Sequence, residues 1–249
     1  MNISKIIELC EAAIPRSVEY SKGEQYGNQN IEDTSVEAKR IAYCVTPSPG
    51  VDQWCRDNDI DLLISHHPVA SEIPHLIYHT ALDCCEGGLN DMWADALGMD
   101  KSNRIEDHLG WSGDLPREMS LMELLDLVKA RSGAVDGQVY HLGGKIKSVT
   151  ICTGLGGLVV DQAVMGGTDC YITGELIGPA DETGFDTVIE TGHTNSEYMG
   201  VEFFEKILKM NIIPAPRDID VYGDEYYRGD DHWALDDPFD CDCDSHEGD

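Results

Sequence analysis

The sequence Asp61-Leu62-Leu63-Ile64-Ser65-His66-His67-Pro68 joins an apolar strand pattern to two adjacent histidines and then to a proline. Neighbouring residues of a strand point to opposite faces, so two adjacent imidazoles can serve one site only where the strand ends. Pro68 enforces that end, because it has no N–H group to continue the ladder. The stretch predicts two nitrogen ligands at the carboxyl edge of an α/β sheet. The alternative is one structural, hydrogen-bonded histidine beside an exposed one.

Strand and helix patterns alternate on both sides of this stretch. The hydrophobic spacing predicts helices over residues 2–13, 51–58, 89–97, 121–130, 158–165 and 195–210, and strands over 40–45, 61–65, 76–80, 148–153, 170–173 and 187–191. Ser120 and Glu123 form a capping-box pattern, and the polar residues 17–38 predict a loop. This alternation favours an α/β fold in layers, with substantially parallel strand pairing.

Two further pairs of polar residues lie close to predicted strand ends. His193 and Glu197 are four residues apart, which places both on one face of a helix. His79 and Asp83 have the same spacing beside a Gly-Gly turn. Each pair also has a structural interpretation: Glu197 could stabilise a helix N-terminus on the surface, and Asp83 could be a turn residue.

Together the three motifs supply imidazole nitrogens and carboxylate oxygens without requiring a thiolate. Five or six such ligands exceed the needs of one closed tetrahedral zinc site. They suit two divalent ions that share a bridging carboxylate and keep open positions for water. The sequence therefore favours a dinuclear metal centre.

Four segments carry a resemblance to a known family. They are DLLISHHP (61–68), HTALDCCEGGLNDMWADALG (79–98), YITGE (171–175) and ETGHTNSE (190–197). In this order they resemble the Nif-three-like dinuclear metal-centre family, whose members are often labelled type-two GTP cyclohydrolase I homologues. The resemblance covers residues 1–215.

The resemblance implies a layered fold of two intertwined α/β lobes with the metal site between them, and toroidal hexamers built from dimers. It implies two divalent ions per chain, with zinc, manganese, iron and nickel not distinguished. The implied ligands are His66, His67, Asp83, His193 and Glu197, with Glu197 as the bridge. His79 is implied at the rim, as a further ligand or a supporting group. Glu197 and Glu175 are the candidate catalytic residues that move a proton, although for Glu175 a structural role near the site is the favoured interpretation.

Three departures from the family concern the surroundings of the metals. Tyr26-Gly27-Asn28 is at most a remnant of a Trp-Asp-Asn-x-Gly-Leu segment, and only eleven residues separate His67 from His79. Leu176-Ile177 stands where the family commonly has a pocket histidine. We therefore expect a retained metal centre with an altered substrate wall.

A glycine-rich turn also follows a predicted strand. Gly154-Leu155-Gly156-Gly157 begins like a dinucleotide-binding loop, but Val159 stands where that motif has its last glycine. We interpret the segment as a strand-to-helix turn that lines the pocket.

The charge of the chain limits its partners. It has 17 basic and 47 acidic residues and a formal net charge of −30. Nucleic acid and anionic membrane surfaces are therefore excluded as partners, whereas cations are favoured. The nine cysteines, several within apolar patterns, predict reduced, buried thiols. Because no apolar signal core is visible, we expect a cytoplasmic protein.

The acidic residues are concentrated at the C-terminus. Residues 218–249 contain thirteen acidic residues and one basic residue, Arg228. We therefore predict a dinuclear metal-binding domain over residues 1–217 and a flexible acidic tail over 218–249. Cys241, Cys243 and His246 could chelate a metal, but the solvated interpretation is favoured.

Three functions are compatible with these observations. The first is a metal-dependent hydrolase acting on a small nucleotide-like or phosphorylated substrate. The second is a metal-binding, metal-delivery or regulatory protein without catalytic turnover. The third is an interaction protein that acts through its acidic tail.

Overall fold

The computed structural model describes residues 1–20, 23–105 and 108–220. Helices and strands alternate along most of this length, which confirms the predicted α/β class. The helices are α1 (Ile3–Ala13), α2 (Pro49–Asp57), α3 (Thr80–Cys84), α4 (Leu89–Leu97), α5 (Leu121–Ser132), α6 (Val160–Val164), α7 (His193–Glu197) and α8 (Gly200–Leu208). The strands are β1 (Gly27–Asn28), β2 (Ile41–Cys44), β3 (Leu62–Ser65), β4 (His75–Ile77), β5 (Asn103–Ile105), β6 (Gly110–Met119), β7 (Val139–His141), β8 (Ile146–Cys152), β9 (Cys170–Thr173), β10 (Thr187–Glu190) and β11 (Ile212–Pro214).

The first sheet has the strand order β1-β4-β3-β2-β11. Its strands β4, β3, β2 and β11 are parallel, and β1 pairs with β4 in the antiparallel sense. All residues of β2 and β3 are buried. Strands of a parallel sheet are covered on both faces, which explains their continuous apolar runs.

The second sheet has the order β5-β6-β8-β9-β10-β7, with β8, β9 and β10 parallel. Its strands lie in the sequence between β4 and β11. The lobe built on the second sheet is therefore inserted into the lobe built on the first sheet. One apolar core contains Ile41 and Tyr43 of the first sheet and Ile151 and Ile172 of the second. The two lobes are therefore packed around a common core rather than separated by a linker.

Several predicted boundaries require correction. The strand predicted over 76–80 ends at Ile77, and α3 follows it at Thr80. The helix predicted over 195–210 is two helices, α7 and α8. The helix predicted over 158–165 is a short 3-10 helix, Gly156–Val159, followed by α6. In contrast, the capping box of Ser120 and Glu123 is present at α5 as predicted.

Strands β1, β5, β6, β7 and β11 were not predicted, and β1 lies within the predicted loop 17–38. Strand β6 shows why. It contains two glycines and Pro116, which are turn residues by local preference. Its pairing with β8 is irregular between Asp114 and Met119, so the proline lies within the disrupted part of the ladder. Pairing with a distant strand thus overrides the local preference.

The described chain continues past the predicted domain boundary at residue 217. Asp220 is fully buried and accepts hydrogen bonds from the backbone N–H groups of Val45 (2.7 Å) and Thr46 (2.7 Å). These two hydrogen bonds therefore connect the C-terminal segment with the residues that follow β2. The rest of the predicted acidic tail, 221–249, lies outside the described residues, and so do Cys241, Cys243 and His246.

The cysteines that the structure describes are all buried and free, as expected. No described helix combines the length and the apolar character that crossing a bilayer requires.

Candidate metal centre

The carboxyl ends of parallel strands from both sheets meet at one place. His66 and His67 follow β3, and His79 lies two residues beyond β4. From the second sheet, Gly154 follows β8 and His193 follows β10. The site is thus built at the strand-end edge that the sequence predicted, but with two sheets contributing to it.

Backbone hydrogen bonds hold the two adjacent histidines side by side. The N–H of His66 donates to Cys44 O (3.2 Å), and that of His67 donates to Val45 O (2.8 Å). The chain therefore stays alongside the end of β2 as β3 finishes. The two imidazole rings lie 5.1 Å apart with an interplanar angle of 49°, and both side chains are buried. The alternative in which one of them is exposed is wrong.

Glu197 occupies the middle of the cluster. Its Oε1 lies 3.3 Å from His66 Nε2 and 3.4 Å from His193 Nε2. Its Oε2 lies 3.3 Å from His67 Nε2. Asp83 Oδ2 approaches the same His66 nitrogen at 3.5 Å. Because α7 begins at His193, the spacing of four residues directs both His193 and Glu197 into the centre.

The six residues predicted as metal ligands all come together. Within each of three groups, one nitrogen or oxygen atom per residue lies within 4.8 Å of the others. The groups are His66, His67 and His79; His67, His193 and Glu197; and His66, Asp83 and Glu197. Such groups could hold metal ions, and their nitrogen and oxygen atoms are donors that zinc, manganese, iron and nickel accept.

Two atoms of the centre support this interpretation. His66 Nε2 and Glu197 Oε2 are buried, and although each lies 3.3 Å from a charged or ionisable atom of the cluster, neither makes a hydrogen bond among the described residues. Burying a polar atom without a partner costs about 1–3 kcal/mol. A metal ion coordinated by these atoms would remove that cost, so the residues present fit divalent cations.

Three imidazoles of the cluster each have a partner within hydrogen-bonding distance of Nδ1. His66 Nδ1 lies 3.2 Å from Tyr78 O, and His67 Nδ1 lies 2.7 Å from Thr46 Oγ1. His193 Nδ1 lies 2.8 Å from Glu175 Oε2. Partners of this kind fix the ring orientation and the tautomer of metal-binding histidines.

The carboxylates are held in a similar way. Thr153 Oγ1 donates to Asp83 Oδ1 at 2.8 Å, and the indole N–H of Trp93 donates to Ser196 O at 2.8 Å, next to Glu197. Glu175, predicted as a catalytic residue, lies behind His193 and is 38% exposed at its side chain. Its position makes it a supporting partner of His193 at the edge of the centre.

The electrostatics of the cluster keep Glu197 ionised. Burial would raise the pKa of Glu197, but His193, His66 and His67 hold it well below the ordinary value. Burial would also lower the pKa of His66, whereas Glu197 and Asp83 raise it to about 9. Burial lowers the pKa of His67 to about 3. The centre therefore keeps its central carboxylate charged chiefly through the positive charges of His66 and His193, whose pKa is likewise raised to about 9.

Some residues of the site were not predicted. Thr46, Thr153 and Glu24 touch the ligand residues, but a single threonine or glutamate has no local pattern that marks it. The glycine-rich turn was interpreted as a pocket wall, and Gly154 does lie against Glu197 and His193. The sequence signal available for this position was the glycine directly after a predicted strand.

Comparison with known proteins assigns the chain to a family. A family profile, Duf34/NIF3 (NGG1p interacting factor 3), matches residues 69–221. A protein of Methanothermobacter thermautotrophicus named GTP cyclohydrolase 1 type 2 homolog is 27% identical over 220 residues, which cover 84% of this chain and 89% of that protein.

Solved structures share the fold. Reduced HcgD from Methanocaldococcus jannaschii is similar with a TM-score of 0.72 and 22% identity, covering 86% of this chain and 97% of that chain. A Bacillus cereus protein related to NIF3 gives a TM-score of 0.71 at 16% identity, covering 86% and 96%. With the profile match over more than half of its length, this chain belongs to the Duf34/NIF3 family.

Proposed function

We propose that this protein binds two divalent metal ions bridged by Glu197 and uses them to hydrolyse a small nucleotide-like or phosphorylated substrate. The observation that carries the proposal is the position of the Glu197 carboxylate. Its Oε1 faces His66 and His193, and its Oε2 faces His67. A carboxylate with imidazole nitrogens beside both oxygens is arranged to be shared between two ions.

The donor groups divide around this bridge. His66 and Asp83 would hold one ion, and His67 and His193 the other, with Glu197 common to both. Each ion would then have three protein ligands, as catalytic metal sites commonly do, and keep positions for water and substrate. His79 would complete the set at the rim, where its side chain is 22% exposed.

The bound ions would supply Lewis acidity and lower the pKa of a coordinated water molecule. The two candidate carboxylates of the chain take different roles. Glu197 is 3% exposed and lies among three imidazoles, so we assign it to binding rather than to proton transfer. Glu175 is 38% exposed at its side chain and adjoins His193. Of the two carboxylates predicted to move a proton, Glu175 is therefore the more accessible one.

Two observations support a small substrate of this class. The related protein of Methanothermobacter thermautotrophicus is named a GTP cyclohydrolase 1 type 2 homolog. In this chain a cavity of about 610 Å³ opens beside His193, and Asn195 and Arg217 are among its lining residues. The lining also contains Asp136, Asp218 and Asp220, and the Arg217 guanidinium already donates to Ser132 O and Asn195 Oδ1. The cavity therefore supports a small substrate by its size.

The test combines metal analysis with turnover. Protein treated with a chelator and reloaded with Mn²⁺, Fe²⁺, Ni²⁺ or Zn²⁺ should bind close to two ions per chain and hydrolyse members of a nucleotide and phosphoester panel. His66→Ala and Glu197→Ala should abolish both properties. Glu202→Ala is the control, since Glu202 is an exposed residue of α8 paired with Arg131.

The outcomes separate the candidate functions. Turnover that survives His66→Ala and Glu197→Ala unchanged would exclude this centre as the active site. Tight metal binding without turnover on any substrate would instead support the second function, metal delivery or a regulatory role. The hexamer implied by the family resemblance stays a prediction, which the mass of the protein in solution would decide.

A further inference from the structure

Glu24 lies in a segment that the sequence did not connect with the metal centre. Its Oε2 is 2.8 Å from His79 Nδ1, and the hydroxyl of Thr80 lies 3.5 Å from the same oxygen. The Glu24 side chain is only 12% exposed and that of His79 is 22% exposed. The contact joins residues 55 positions apart in the sequence, so it depends on the tertiary structure.

The backbone is anchored at Glu24 and three residues beyond it. Arg16 Nη2 donates to Glu24 O at 2.9 Å. Three residues further on, Gly27 pairs with Ile77 in the ladder of β1 and β4. Since His79 lies only two residues beyond β4, the same strand pair positions both the carboxylate and the imidazole. The contact between Glu24 and His79 is therefore determined by the fold of the first lobe.

The arrangement matches that of the other histidines in the centre. His66, His67 and His193 each have a partner at Nδ1 and direct Nε2 toward a carboxylate of the cluster. The ring of His79 lies 4.9 Å from that of His66 and 5.3 Å from that of His67. One of its nitrogens belongs to a group of possible ligand atoms with these two residues.

A carboxylate at Nδ1 decides which nitrogen can bind a metal. A neutral imidazole has one N–H and one lone pair, and a carboxylate can only accept. With Glu24 at Nδ1, the proton belongs on Nδ1 and the lone pair on Nε2. Such a partner also makes the imidazole a better ligand, as in other carboxylate–histidine–metal arrangements.

We propose that Glu24 is a positioning residue that holds His79 as the Nδ1–H tautomer, so that Nε2 serves the metal centre as a fourth imidazole. The metal-binding part of this inference rests on the proposed function. The tautomer is a property of the chain without metal, so it can be measured whether or not the protein proves to be a hydrolase.

The decisive measurement is the tautomer of His79 by ¹⁵N NMR of the imidazole rings in chelator-treated protein. It is made at pH 8.5, where an ordinary imidazole is neutral, and His79→Gln assigns the signals. In the wild-type protein we expect a protonated Nδ1 and an unprotonated Nε2. A wild-type His79 with its proton on Nε2, alone or together with Nδ1, overturns the proposal without any variant of Glu24.

Variants of Glu24 extend the test. Glu24→Ala should shift His79 toward a mixture of tautomers and weaken metal binding by about 10- to 100-fold, the range for removing a partner of a metal-ligating histidine. Glu24→Gln keeps an oxygen acceptor and should preserve the Nδ1–H tautomer and most of the affinity. Glu8→Ala, at an exposed glutamate paired with Lys5, is the control.

Each outcome has one meaning. Unchanged ring-nitrogen shifts of His79 in folded Glu24→Ala overturn the positioning role. If no metal binds to the wild-type protein, the proposed function fails, while the tautomer still decides the role of Glu24. If metal binds and the tautomer is as expected but Glu24→Ala binds metal like the wild type, the assignment of His79 Nε2 to the centre is overturned.

Discussion

Gly154 lies against Glu197 so closely that a Cβ atom on Gly154 would be 2.3 Å from Glu197 Oε1. The same atom would lie 3.3 Å from His193 Nε2. The carbonyl of Gly154 accepts the N–H of Glu175 at 2.8 Å, which keeps the turn in place. The backbone after β8 thus forms a wall of the metal centre, and this wall leaves no room for a side chain.

Gly154→Ala should therefore disturb the central carboxylate. We expect metal affinity to fall by about 10- to 100-fold, since displaced ligands cost at least as much as a lost supporting contact. Gly167→Ala is a matched control, because Gly167 has a φ of 66° against 62° for Gly154 but nothing within 4 Å of its added Cβ. Competition with a chromogenic chelator measures both affinities, and equal losses in the two variants would contradict the steric argument.

Thr46 should contribute to metal binding through His67. Thr46 Oγ1 lies 2.7 Å from His67 Nδ1, and both residues are buried. Thr46→Val removes the hydroxyl with little change of shape, so we expect about 10- to 100-fold weaker metal binding. Thr46→Ser restores the hydroxyl and should recover most of the affinity. If Thr46→Val and Thr46→Ser bind metal equally well, the hydroxyl has no role in orienting the ring.

Removal of metal should lower the stability of the fold. The proposed ligands lie in the segments that follow β3, β4 and β10, so a bound ion would connect both lobes. A ligand that binds only the folded state adds about 2.7 kcal/mol at a hundred times its dissociation constant. Tm should fall when a chelator is added and return when Zn²⁺ or Mn²⁺ is restored. In Glu197→Ala the chelator should have little effect on Tm.

The pH dependence of stability should contain a contribution from Asp220. Burial raises the pKa of Asp220 to about 7, although the N–H groups of Thr46 and Val45 act in the opposite direction. In the unfolded chain its pKa is about 3.9. Between these values the folded state holds a proton that the unfolded state has lost. The contribution is therefore fully present below about pH 4 and is lost as the pH rises to about 7.

Comparison of the wild type with Asp220→Asn isolates this contribution. The free energy of unfolding of the wild type, relative to the variant, should decrease with pH by at most about 1.4 kcal/mol per unit between pH 4 and 7. Denaturant titrations in the presence of a chelator measure it without the separate pH dependence of metal binding. A difference that stays constant over this range, or increases, would contradict the assignment.

The residues that form the candidate metal centre could be selected from the sequence because their positions obey local rules. His66 and His67 end an apolar strand, and the four-residue spacing of His193 and Glu197 places them on one side of a helical turn. Glu24 and Thr46 obey no such rule, because each acts through a contact made across the fold. Strand β6 was not predicted for the same reason. Its glycines and proline favour turns locally, and only its pairing with the distant strand β8 makes it a strand.

The sequence by itself determined the class of fold and the chemical type of the centre. Apolar periodicity decides where strands and helices form, and residue type decides which atoms can bind a metal. The tertiary structure alone decided the distances within the centre, where Glu197 lies 3.3 Å from both His66 and His67. It also decided that Glu24 and Glu175 contact Nδ1 of His79 and His193. These relationships join residues far apart in the chain. Packing around the common core determines them, and no local sequence pattern predicts that packing.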